Sequence, residues 1–154
     1  MVYAEKTNVS IERTEGEIKG LLRRYKAKSF GSMEEPGMVI LVFEMSDRRI
    51  VFRLPLPDRN DDEFAKTPSG RRTRSPEQQY VAWEQACRSR WRALFLCIKA
   101  KLESVESGIE TFEDAFLAHV MMPDGMTVGE HTRPKIAHVY ETEKMQPLLP
   151  GPAS

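Results

Sequence analysis

The sequence predicts an α+β domain: an N-terminal helix and an antiparallel β-meander packed on a long central helix, with a helical C-terminal third. Three observations predict it. Two β-rich apolar runs, Met38–Met45 and residues 50–56, follow one another with only a short polar turn between them. A strong helix start at Ser75 opens a helical pattern that continues to Ser107. No segment repeats, which excludes solenoids and propellers.

Taken in order, the first helix is signalled by Thr14 as N-cap with Glu17 three residues on. Ile18, Leu21, Leu22 and Tyr25 then fall on one face. Gly16 and Gly20 each weaken this helix by about 1 kcal/mol relative to alanine, so it must lean on packing through that face. Ser29 and Phe30 add a further strand before a turn at Glu34-Glu35-Pro36-Gly37. Met38–Met45 is apolar on both faces, as a central strand should be. After a turn at Ser46-Asp47-Arg48-Arg49, Ile50, Phe52, Leu54 and Leu56 alternate with Val51 and Arg53. Pro55 and Pro57 end the sheet, because proline cannot continue a central ladder.

Residues 57–75 carry almost nothing apolar except Phe64 and read as a mobile loop. The central helix follows, with Ser75 as N-cap, Pro76 at its first position and Gln78 at its third. Tyr80, Trp83, Cys87, Trp91, Leu94, Ile98, Leu102 and Val105 form a wide apolar arc expected in the core, with Glu84, Arg88, Arg92, Lys99 and Glu103 on the remaining stripe. Gly108 offers the stop. Cys87 and Cys97 lie about 15 Å apart along this helix, beyond disulfide reach, and are expected as reduced core residues. Thr111 caps a short helix bearing Phe112 and Phe116. Pro123-Asp124-Gly125 is a turn, and Thr127 with Glu130 opens a last helix through Ile136, Val139 and Tyr140. Residues 1–146 thus form one domain and residues 147–154 an extended tail.

Hydrophobic residues make up 40% of the 154 and charged residues 30%, enough for a packed core. No apolar run suits a signal peptide or a bilayer span, so a cytoplasmic setting without membrane partners is expected. The 23 basic and 23 acidic residues cancel but are unevenly placed. From residue 66 to 92 there are seven basic residues against two acidic, and from 103 to 143 nine acidic against two basic. Either the basic segment meets an anionic partner or the two regions face each other in the fold.

Catalytic signatures are missing: there is no nucleophile elbow, phosphate loop or zinc-protease helix, and no cofactor motif. His119, His131 and His138 match no metal-ligand spacing and read as structural. Asp61-Asp62-Glu63 reads as a solvated charge run, and Glu113 and Asp114 complement a helix dipole. The basic features carry more. Lys66, Arg71, Arg72 and Arg74 crowd the loop that feeds the helix N-terminus at Ser75, itself a favourable seat for phosphate. Arg88 and Arg92 on the polar stripe extend the patch, and such cations bind phosphate backbones through counterion release. With Tyr80, Trp83 and Trp91 in the core, no base-stacking platform is expected.

The segments ERTEGEIKGLLRRYKA, RWRALFLCIKAKLESVESGI and FLAHVMMPDGMTVGE resemble a group of small uncharacterised proteins of tailed phages and prophages. The group carries no assigned activity, so the resemblance implies a setting only: a phage accessory protein working in bacterial cytoplasm beside DNA. Two functional expectations follow, non-specific nucleic-acid binding through the basic loop, or a non-enzymatic adaptor or inhibitor that binds a host or phage protein.

Overall fold

The computed structural model of the chain describes residue 4 and residues 6–152. Helix α1 spans Ile11–Arg24 and is followed by strands β1 (Ser29–Glu35), β2 (Met38–Met45) and β3 (Arg48–Pro55). A single helical turn, α2 (Asp62–Ala65), precedes the long α3 (Pro76–Glu106), then α4 (Phe112–Phe116), a 3-10 turn at Leu117–His119, and α5 (Val128–Thr142). The expected α+β architecture is present.

The three strands form an antiparallel meander in the order β1-β2-β3. Ser46 and Asp47 both have positive φ, so two residues turn the β2–β3 hairpin and the strands run to Met45 and Arg48. Register places Leu41 opposite Phe52 and Phe43 opposite Ile50, which puts Val39, Leu41, Phe43, Ile50, Phe52 and Leu54 on one buried face. Against that face lie Ile18, Leu21 and Leu22 of α1, and Trp91, Leu94, Ile98 and Leu102 of α3. Phe116 closes the core, edge-on to both Phe43 and Phe52.

The helix starts at Ser75, Thr111 and Thr127 are where their side chains cap them, each accepting from a backbone amide of the first turn. Ser107 and Gly108 end α3, Gly108 at φ +76.

Helix α1 begins one turn earlier than expected. Ser10, not Thr14, is its N-cap and accepts from the Arg13 amide. Ile11 and Thr14 precede Ile18 at helical spacing, so including them in the helix lengthens its buried stripe. Thr14 is fully buried, and its Oγ1 has no hydrogen-bond partner among the described residues.

Two further expectations are corrected by the geometry of α3. Its 31 residues span about 46 Å, whereas an eight-residue strand covers about 27 Å. The first turns of α3 therefore overhang the sheet. Tyr80 is exposed and Trp83 half-buried, and the buried positions of α3 begin only at Cys87. Cys97 is exposed while Cys87 is buried, because ten helical residues leave the two side chains about 80° apart around the axis.

Helix α5 is held mainly at its start. Gly129 is its one buried residue, and a Cβ there would lie 2.9 Å from the Ala118 carbonyl oxygen. Ile136 and Tyr140, which announced the helix, point to solvent.

Leu94→Ala is expected to cost about 2–5 kcal/mol, read as a lower denaturant midpoint at unchanged slope. Thr14→Val keeps the shape and removes an unpartnered buried hydroxyl, so it should raise stability by about 1 kcal/mol. A lowered midpoint in Thr14→Val would show that the hydroxyl is satisfied in solution.

Candidate nucleic-acid interface

Residues 57–75 carry structure of their own, contrary to a loop without any. Phe64, the one large apolar side chain of the segment, is buried and anchors α2. Lys66 then bridges Thr73 in antiparallel fashion. The Thr67 amide donates to the Arg72 carbonyl at 3.0 Å, and the Gly70 amide donates to Thr67 at 2.8 Å. Gly70 adopts φ +70, which closes this small hairpin. The Arg74 amide returns to the Ala65 carbonyl at 2.8 Å. From α3, Trp83 Nε1 donates to the Pro57 carbonyl at 2.8 Å and Gln79 Nε2 to that of Arg59 at 3.1 Å.

The hairpin displays Lys66, Arg71 and Arg72, all exposed. Arg74 turns inward, its guanidinium reaching the carbonyls of Glu63 and Phe64 at 3.4 Å. Beside the hairpin turn runs a groove of 860 Å³ between this segment, the end of β3 and one flank of α3. Ala82, Ala86 and Ala93 give it a smooth floor, Lys6, Arg74 and Arg90 line it, and Glu63 is its single carboxylate among the described residues. Arg90 Nε is oriented by the Pro55 carbonyl at 3.2 Å. Lys6 and Arg90 were not singled out from the sequence as members of this patch. Their distance from the loop in the chain hid them, although Arg90 lies at helical spacing from Ala82, Ala86 and Ala93.

The two remaining predicted residues part company with the hairpin. Arg92 is turned toward α1, where it pairs with Glu17 and stacks 4.4 Å from the Phe95 ring centroid. Its hydrogen bond is the main reason the Glu17 carboxyl sits below its ordinary range. Arg92 is thus occupied internally and leaves the interface. Arg88 donates to Gln85 Oε1 and shares a shallow depression with Arg74 near the start of α3. The expected phosphate seat at the helix N-terminus is filled by the protein itself. Ser75 Oγ accepts from the Gln78 amide while Gln78 Oε1 accepts from the Ser75 amide, Pro76 has no N–H, and the Gln79 amide returns to Ser75.

Where the acidic region pairs, it pairs outside the basic segment. Glu113 and Glu130 of the C-terminal third pair with Arg48 and Arg53 of β3. Among the described residues no ion pair joins residues 66–92 to residues 103–143.

The histidines are dispersed. His119 stacks on Phe52 at 3.9 Å between centroids, His131 Nε2 lies 2.7 Å from Asp124 Oδ2, and His138 is exposed on α5. Among the described residues no three metal-binding side chains converge, and no helix is long and apolar enough to cross a membrane. No protein-family model, curated protein or solved structure matches the chain.

Burial pushes the His119 imidazole below its ordinary range, with the Lys101 charge adding to it and a backbone hydrogen bond at Val51 opposing it. An imidazole that is harder to protonate when folded takes up a proton on unfolding. Stability is therefore whole above the unfolded pKa of about 6.5 and declines as pH falls from there toward the folded value. His119→Phe is expected to flatten the loss of thermal midpoint between about pH 7 and about pH 5. An unchanged slope would assign that loss to other groups.

Proposed function

We propose that the chain is a phage accessory protein that holds nucleic acid by its phosphate backbone, without reading bases, in the cytoplasm of the infected bacterium. The observation that carries the binding reading is a set of cations that enter no ion pair among the described residues, beside a smooth groove. Of seven ion pairs among the described residues, none uses Lys66, Arg71, Arg72, Arg74 or Arg90. These five lie on the hairpin or along the groove. Among the described residues no aromatic ring lines the groove, which favours contact with phosphate and sugar over stacking on bases. The hairpin presents its cations on a backbone already ordered by hydrogen bonds, which lowers the entropy cost of docking. The phage setting rests on the three resembling segments alone.

A protein partner is the second reading, and α5 favours it. Tyr140 is 83% exposed and Ile136 42%, one turn apart on the same face of a helix with a single buried residue. Salt separates the two readings, because apolar contact is far less sensitive to ionic strength than phosphate binding.

Replacing Lys66, Arg71 and Arg72 together by serine should leave stability within about 0.5 kcal/mol. The same change should weaken binding to a mixed-sequence oligonucleotide and flatten log affinity against log salt by up to about three phosphate contacts. Sequence preference should not move. If the unmodified protein fails to bind at low salt, the nucleic-acid reading is lost and the protein-partner reading replaces it.

A further inference from the structure

The opposite flank of α3, nearly half a turn round the helix, faces a second cleft of 610 Å³ between the start of α1, the β1–β2 turn and the end of β3. Its charge is reversed. Glu12, Glu34, Glu35 and Glu84 line it against Arg88 alone, and none of the four carboxylates has an ion pair among the described residues. They come from three separate parts of the chain, α1, the end of β1 and α3, so the fold, not a local charge run, gathers them. The negative field is felt inside: the Cys87 thiol on the cleft wall is pushed up by burial first and then by Glu84, with Arg88 opposing and Glu34 adding.

The walls are aromatic. Tyr80 and Trp83 stand near the rim and Trp91 lies beneath, 1% exposed, its Nε1–H without an acceptor among the described residues. The rim already holds a guanidinium: that of Arg59 lies 4.8 Å from the Tyr80 ring centroid.

We propose that this cleft receives an arginine side chain of a peptide or protein partner. A guanidinium is planar, stacks on indole and phenol rings, and takes carboxylates in pairs through its fork of donors. An inorganic anion is repelled by the four carboxylates, and a simple metal cation makes no use of the planar aromatic walls. The volume suits one long side chain with its flanking backbone. This assignment stands on the acidic cleft and is independent of the basic groove on the other flank.

The chain has two tryptophans, Trp83 and Trp91, and both line the cleft, so intrinsic emission reports on it directly. N-acetyl-arginine N-methylamide titrated into the full chain should change tryptophan emission saturably, with half-saturation in the millimolar range of about 1–10 mM. The lysine analogue should bind several-fold more weakly and the leucine analogue should give no saturable change. The double variant Glu34→Gln with Glu84→Gln should weaken the arginine probe by about tenfold or more, and its thermal midpoint shows that it is folded. Arg88→Gln removes the cation that lines the cleft among the described residues and should tighten binding, an effect that misfolding cannot mimic. The proposal is overturned if the arginine probe gives no saturable change up to about ten times that range. It is equally overturned if the leucine analogue matches arginine, or if Arg88→Gln weakens binding.

Discussion

The packing of α3 across a sheet shorter than itself is the constraint on which the rest of the molecule depends. Trp91, Leu94, Ile98 and Leu102 are buried where the helix crosses the strands. The first turns, by contrast, have no sheet beneath them. An unsupported stretch of helix must find other cover, and it does so through hydrogen bonds to backbone carbonyls of residues 57–59 and contact with α2. The gaps left on its two flanks are the basic groove and the acidic cleft. Leu56 and Pro57, just past the end of β3, line both. Ending the sheet at a Pro-Leu-Pro sequence thus shapes both concave surfaces.

Charge is partitioned by the same geometry. Arg48 and Arg53 tie β3 to the C-terminal third, and Arg92 ties α3 to α1. These pairs are partly exposed and contribute modestly to stability, but they neutralise charges that would otherwise broaden the surface fields. Beside α3, most of the cations lacking an ion pair lie at the hairpin and groove, and carboxylates of the same kind predominate at the cleft. A chain of zero net charge therefore presents two fields of opposite sign on either side of one helix. Such fields govern which ligands approach each face, and they do so most strongly at low ionic strength.

Local signals were legible where a backbone donor and its acceptor lie within a few residues. The caps at Ser75, Thr111 and Thr127 are of this kind, as is the stop at Gly108. Thr14 misled because a threonine can serve a cap or fill a buried stripe, and the choice depends on what packs against it. Trp83 and Tyr80 misled for a related reason: periodicity shows which residues share a helix face but not how far along the helix the core extends. The hairpin at residues 66–73 gave no periodic signal, since its order comes from a buried Phe64 and a turn closed by Gly70.

The sequence by itself determined most of the secondary structure, including the meander and the central helix, and the identity of an exposed group of cations at Lys66, Arg71 and Arg72. Hydrophobic period, turn chemistry and capping act over a few residues, and each is written in adjacent positions of the chain. Only the tertiary structure decided which charges remain free. Glu17 and Arg92 are 75 residues apart and Arg53 and Glu130 are 77 apart, yet each pair meets, while Arg90 and Lys6 join a groove with residues of another segment. Coulomb attraction and hydrogen bonding depend on separation in space, and separation in space is fixed by how the helices pack on the sheet.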